Sequence, residues 1–178
     1  MVAVGGHFHF WRFACGVLAA CAAVSPALAA RASTNVSSIL IEAHNRERTA
    51  VRVPPLAWDV ALAGAAAAYA RELAGVGALR HSARQTRLGQ GENLWMGTRG
   101  AFAPPVMVGS WSAERSNFRP GIFPAISRTG NWAHVGHYSQ MIWPTTTRVG
   151  CAIATGRRVD VLVCRYAPAG NIDGRRIP

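Results

Sequence analysis

Apolar residues recur first at helical spacing. Val36, Ile39, Leu40, Ala43 and His44 fall at i, i+3, i+4, i+7 and i+8, which predicts a helix with one buried face. Pro54-Pro55 punctuates that run, because proline lacks an N–H and its ring crowds the preceding turn. A second stripe of Trp58, Leu62, Ala65, Tyr69 and Leu73 predicts another helix, with Asp59 near its positive start. Residues 75–101, rich in Gly, Arg and Ser, predict a long irregular connection. Met107, Trp111, Glu114 and Phe118 mark a third helix. The period then changes. Val149–Ile153 and Val159–Cys164 alternate as strands do, and Gly156-Arg157-Arg158 between them suits a hairpin turn. Helices followed by a terminal hairpin predict an α+β domain in which helices pack on an antiparallel sheet.

The N-terminus follows different rules. Arg12 precedes an apolar stretch from Phe13 to Val24, and Ala27-Leu28-Ala29 offers small residues at a cleavage site. That layout is a secretory signal peptide, 1–29, ahead of a single domain, 30–178. An alternative starts from Leu18-Ala19-Ala20-Cys21, which matches the box at which bacterial lipoproteins are cleaved and acylated. Lipidation at Cys21 would leave the domain membrane-anchored rather than free in the extracellular or periplasmic space. Beyond this leader no segment is long and apolar enough to span a bilayer, and no internal repeat suggests a solenoid.

Cleavage after Ala29 removes Cys15 and Cys21 and leaves Cys151 and Cys164, one on each predicted hairpin strand. An even pair in an oxidising compartment reads as a disulfide; two buried thiols are the alternative. The net charge of +11 is carried by 19 basic residues, all arginine, and falls to +10 when Arg12 leaves with the leader. Guanidinium pairs phosphate and carboxylate bidentately, so acidic surfaces and lipid headgroups are the partners this charge favours. No nucleic-acid-reading motif accompanies it, and none is expected behind an export signal.

Glu114 is the first residue with a chemical character, since it lies on a stripe that points inward, where a lone carboxylate is costly. A slight rotation of the helix would instead bring it to solvent, and the pattern does not choose. His44, His81, His134 and His137 are the histidines outside the leader. His44 has a helical-face explanation. His134 and His137 sit one turn apart, a weak metal signal without further ligands.

Several motifs nevertheless stand in a familiar order. His44-Asn45-x-x-Arg48 and Val53-Pro54-Pro55-Leu56-x-Trp58-Asp59 are followed by His81-Ser82, Gly91-Glu92-Asn93-Leu94 and Trp111-x-x-Glu114. Then come Gly136-His137-Tyr138-Ser139-Gln140-Met141-Ile142-Trp143, Val149-Gly150-Cys151-Ala152 and Cys164-Arg165-Tyr166-Ala167-Pro168-Ala169-Gly170-Asn171. Over roughly residues 36–171 the chain resembles the CAP superfamily of cysteine-rich secretory proteins, venom antigens and plant pathogenesis-related class 1 proteins. The resemblance implies a three-layer α–β–α sandwich, the SCP domain. It also implies a cleft tetrad of His81, Glu92, Glu114 and His137, with His81 and His137 able to hold a divalent metal, commonly zinc. It selects His137 over His134. Plant relatives carry three disulfides, whereas this chain keeps only the pair on the terminal hairpin, and no cysteine-rich extension follows.

Two functional readings follow. In the first, the protein is a non-enzymatic module for a lipid or sterol-like ligand, with a defence or host-interaction role. The apolar loop from Asn117 to Trp132 would supply its contact through Phe118, Phe123 and Trp132. In the second, a glutamate of the tetrad serves as general base in a weak, protease-like metal-dependent hydrolase. No nucleophile or third metal ligand is evident, and no catalytic residue is assigned. Without a metal, the same four residues would pair as carboxylate and imidazole and fix the cleft walls.

Overall fold

The computed structural model describes residues 26–178, with side chains from residue 36 onward. The leader and the Cys21 lipidation box therefore lie outside the described residues, apart from Pro26–Ala29 in the first turn of the first helix. Among the described residues, no helix is long and apolar enough to cross a membrane.

Ten elements run in the order α1 (Pro26–Ala50), β1 (Ala57–Trp58), α2 (Val60–Val76), β2 (Gly91–Thr98), α3 (Pro104–Ser112), β3 (Gly121–Ile122), α4 (Gly136–Met141), β4 (Arg148–Thr155), β5 (Val159–Ala167) and β6 (Arg176–Ile177). The main sheet has the order β1-β4-β5-β2, antiparallel except for the two-residue β1, which joins β4 in parallel. A second, two-stranded sheet pairs β3 with β6. Helix α2 covers one face of the main sheet, and α1, α3 and α4 cover the other. The result is a three-layer α–β–α sandwich.

Alternation along the strands builds both cores. Leu94, Val161 and Val163 face Ala66, Tyr69, Ala70 and Leu73 of α2. Val149, Leu162 and Tyr166 face Leu40, Trp111, Tyr138 and Trp143. Helix α2 approaches β4 closely because Gly150 has no side chain. A Cβ there would overlap the backbone of Ala63, Asp59 and Leu62. Asp59 caps α2, accepting from the N–H groups of Ala61 and Leu62 at 2.9 and 3.0 Å, and Gly77 closes it in the left-handed conformation with φ of 71°. Cys151 and Cys164 are direct partners across the β4–β5 hairpin and form a disulfide.

Three sequence expectations change. The connection 75–101 contains a full strand, β2, because pairing with the buried β5 overrides the weak strand propensity of Gly91, Glu92, Asn93 and Gly97. Trp58 belongs to β1 rather than to the second helix, and Ala66 rather than Ala65 is buried there. The third helix ends at Ser112 and continues as a 3-10 turn over Ala113–Ser116, which carries Glu114.

His44 is fully buried. Its Nδ1–H donates to the Leu40 carbonyl at 2.7 Å, so Nε2 accepts from the Tyr166 hydroxyl at 2.7 Å. Burial, which disfavours the charged ring, lowers its pKa to about 4, and nearby Arg48 acts in the same direction. A folded-state value below the unfolded one means that the unfolded chain takes up the proton first. This contribution to stability is therefore complete above about pH 6.5 and is lost as pH falls toward 4, to a total of about 3 kcal/mol. The expected result is a His44 ring resonance that stays flat from pH 7.5 to 5 while urea stability declines below pH 6.5. A His44 resonance titrating near 6.5 would contradict it.

Candidate functional site

The four tetrad residues form two imidazole–carboxylate pairs at one end of the edge strand β2. His81 follows α2, and its Nδ1 meets Glu92 Oε1 at 2.7 Å. His137 opens α4, and its Nδ1 meets Glu114 Oε1 at 2.6 Å. The pairs approach β2 from opposite faces. Glu92 lies on the α2 side with Leu94, whereas the next residue, Asn93, donates to the His137 carbonyl at 3.0 Å. Asn93 also donates to the Tyr166 hydroxyl at 3.1 Å, and Tyr166 bonds His44. One polar chain thus runs from the α1 core to the backbone of His137.

Both carboxylates are engaged by several donors. Glu92 has no exposed side-chain surface. Besides His81 it accepts from the Ser82 N–H at 3.0 Å and the Ser82 hydroxyl at 2.9 Å, and it pairs with Arg165 at 3.1 Å. Burial opposes its charge, but the His81 bond, the Arg165 guanidinium and the Ser82 donors outweigh that and hold its carboxyl below the usual range. Glu114 Oε2 accepts from the N–H groups of His137 and Tyr138, both at 3.0 Å, at the first turn of α4.

The imidazoles are presented in the opposite sense. With Nδ1 engaged, each Nε2 has no hydrogen-bond partner among the described residues, and the side chains of His81 and His137 are 57% and 35% exposed. The Trp111 indole stacks on His137 with ring centroids 5.9 Å apart and planes 12° from parallel, which fixes the ring. A carboxylate on one nitrogen and a free second nitrogen is the arrangement that orients histidine toward a metal. Each ring, taken singly, is thus disposed as a metal-ligating imidazole would be. No three of the four tetrad residues bring ligand atoms within 4.8 Å of one another.

His44, Cys151 and Cys164 do cluster that closely, but the disulfide leaves neither sulfur as a thiolate, so the trio is no metal site in the oxidised protein. His134 stands apart from the pairs, exposed and bonded to Thr129 at 2.8 Å.

In the 117–132 loop, Phe118 and Phe123 are buried in the core, whereas Ile122 and Trp132 are each 45% exposed. Phe123 lies edge-on beneath Trp132 at 5.3 Å, and Trp132 rests against Gly136, the neighbour of His137. Arg165 and Ser82 are site residues that motif spacing did not single out for a role. For Arg165 the signal was present, since it follows Val161 and Val163 on the alternation of β5, a lone cation on an otherwise apolar face.

Comparison with known proteins agrees with this architecture. The family model for the cysteine-rich secretory protein family, CAP, matches residues 41–166. A PR-1 type pathogenesis-related protein of Sambucus nigra is 34% identical over 76% of this chain and 78% of its own length. The pathogenesis-related protein PRMS of Zea mays is 32% identical over 90% of both chains. Peptidase inhibitor 16 of Bos taurus is 30% identical over 85% of this chain, which spans only 33% of that longer protein. Among solved structures, NaASP2 crystallised with Zn2+ superposes with a TM-score of 0.68 at 24% identity, covering 78% of this chain and 82% of that one. On the family match and these relatives, the chain belongs to the cysteine-rich secretory protein (CAP) family.

Proposed function

We propose that this protein is an exported CAP-domain binding module. Its cleft holds a divalent metal through His81 and His137, and its ligand is lipid or sterol-like and contacts Trp132. The observation that carries the metal assignment is the pairing of each Nδ1 with a carboxylate while each Nε2 stays open. A bound ion would supply a positive centre at the cleft floor. Glu92 and Glu114 orient the rings, and Trp111 and Trp132 wall the site on the His137 side. The exposed indole of Trp132, supported from below by Phe123, favours an apolar ligand beside that centre. Export is supported by the family to which the chain belongs and by the pattern of residues 1–29. The hydrolase alternative is disfavoured, because a general base must reach substrate and both glutamates are occupied by three or more donors each.

Zinc titration by calorimetry tests the reading. The expected result is one-site binding at pH 7.5 that weakens at pH 5.5, because neutral imidazole is the ligand, and that vanishes in His81→Ala/His137→Ala. Trp132→Ala should leave the zinc isotherm unchanged and lose capture of a fluorescent sterol. An unaltered isotherm in the double variant would overturn the metal assignment, and unaltered sterol capture in Trp132→Ala the ligand assignment.

A further inference from the structure

The main sheet has an open edge far from the tetrad. Strand β1 pairs with β4 only at Ala57–Arg148 and Trp58–Val149, so beyond Val149 that side of β4 has no neighbouring strand among the described residues. The phase of the β4–β5 ladder says which groups are left. Cys151 and Cys164 are partners with Cα atoms 4.1 Å apart, the close spacing of a non-hydrogen-bonded antiparallel pair. Gly150, Ala152 and Ala154 therefore bond β5, while Val149, Cys151, Ile153 and Thr155 turn their N–H and C=O groups outward. The Val149 carbonyl confirms the phase by accepting from the Asp59 N–H at 2.9 Å. Cys151, Ile153 and Thr155 continue the row, with no backbone partner on the outer side among the described residues.

Exposure agrees. Val161–Ala167 of β5 are all buried, whereas Ala152, Ile153 and Ala154 of β4, between the same helical layers, are half-buried and Thr155 is exposed. A hollow of about 430 Å³ opens beside the edge, between Ile153–Gly156 and Ala67, Arg71, Ala74 and Gly75. The small residues of α2 leave room there for side chains of an added strand.

The charges left without an ion-pair partner among the described residues around this edge, those of Arg71, Arg157 and Arg158, are of one sign. Arg157 and Arg158 are exposed at the hairpin turn, Arg71 lines the hollow and Arg148 stands at the β1 end. The nearby acids are engaged: Asp59 pairs with Arg148 at 2.7 Å, Glu72 with Arg80 at 2.6 Å, and the buried Asp160 accepts from Gly100 and Thr155. We propose that the Cys151–Thr155 edge of β4 docks an extended acidic peptide as an added strand, with main-chain bonds giving affinity and the arginines selecting charge. The site is independent of the cleft, which lies at the opposite, β2 edge.

The probe is a fluorescein-labelled, end-capped peptide, Val-Glu-Val-Glu-Val-Glu-Val, titrated by anisotropy into the purified chain with its disulfide formed. Saturable binding is expected, with amide shifts at Cys151, Ile153 and Thr155. Arg157→Glu/Arg158→Glu should weaken it about ten-fold or more, the range of rim-charge effects on association. Replacing glutamate by lysine in the peptide, or N-methylating alternate residues, should abolish it. Equal binding of the lysine peptide, silent edge amides, or concentration-dependent dimerisation through this edge would each overturn the proposal.

Discussion

Replacing Arg48 with alanine is expected to lower the unfolding free energy by about 4 kcal/mol or more, among the largest effects of any single substitution in this fold. Arg48 is 1% exposed and donates only to backbone carbonyls. Nε reaches Pro54 at 2.6 Å, Nη1 reaches Met141 and Trp143 at 2.9 Å, and Nη2 reaches Thr146 at 2.9 Å. Among the described residues no carboxylate pairs with it, and burial lowers its pKa to about 10, so it stays protonated at neutral pH. The guanidinium thus gathers the end of α4 and the approaches to β1 and β4 onto α1. Alanine would leave the Pro54, Met141 and Thr146 carbonyls unsatisfied, each costing about 1–3 kcal/mol where water cannot replace the donor, while Trp143 keeps the Thr146 N–H at 3.2 Å. Lysine should recover only part of the loss, because three donors on one nitrogen cannot span carbonyls arranged for a planar fork. Urea denaturation at pH 7 measures it. A loss under about 1 kcal/mol would show that water replaces the guanidinium.

Arg165→Met is expected to cost about 3 kcal/mol, and Glu92→Gln in the same chain to restore most of that loss. Glu92 has no exposed side-chain surface and Arg165 has 5%, so removing the cation leaves a buried carboxylate to His81, Ser82 and the more distant Arg87 at 3.9 Å. Arg165 also lies over the Tyr69 ring at 5.4 Å, so methionine retains apolar contact and the experiment isolates charge. A double-mutant cycle by chemical denaturation decides it. Additive losses would mean that Arg165 acts through packing and that Glu92 does not depend on it.

These two arginines differ in how far the chain discloses them. Arg48 stands in the His44-Asn45-x-x-Arg48 motif, whose other members are also structural: His44 in the core, and Asn45 exchanging hydrogen bonds with the Leu56 backbone at 2.7 and 3.1 Å. A motif that marks the family thus marks its scaffold rather than its chemistry. Arg165 shows in the sequence as a lone cation in step with Val161 and Val163, but its burial is visible only once β5 is known to be covered on both faces. Phe118 and Phe123 illustrate the same limit. The apolar character of their loop was evident, but burial of Phe123 beneath Trp132 and of Phe118 against Tyr138 depends on how the loop folds back over the second core.

Local order was determined by the sequence alone. The stripe from Val36 to His44, the Asp59 cap and the hairpin carrying Cys151 and Cys164 all follow from side-chain period, capping and turn chemistry, which act over a few residues. Tertiary structure alone decided the strand at Gly91–Thr98, the engagement of both glutamates by several donors and the open edge of β4. Each depends on partners distant in the chain: Glu92 on Arg165, Glu114 on His137 and Tyr138, and β4 on the two-residue length of β1. Periodicity tells a segment which face to bury, but the free energy of a buried carboxylate or an unpaired edge is set by what the rest of the fold brings against it.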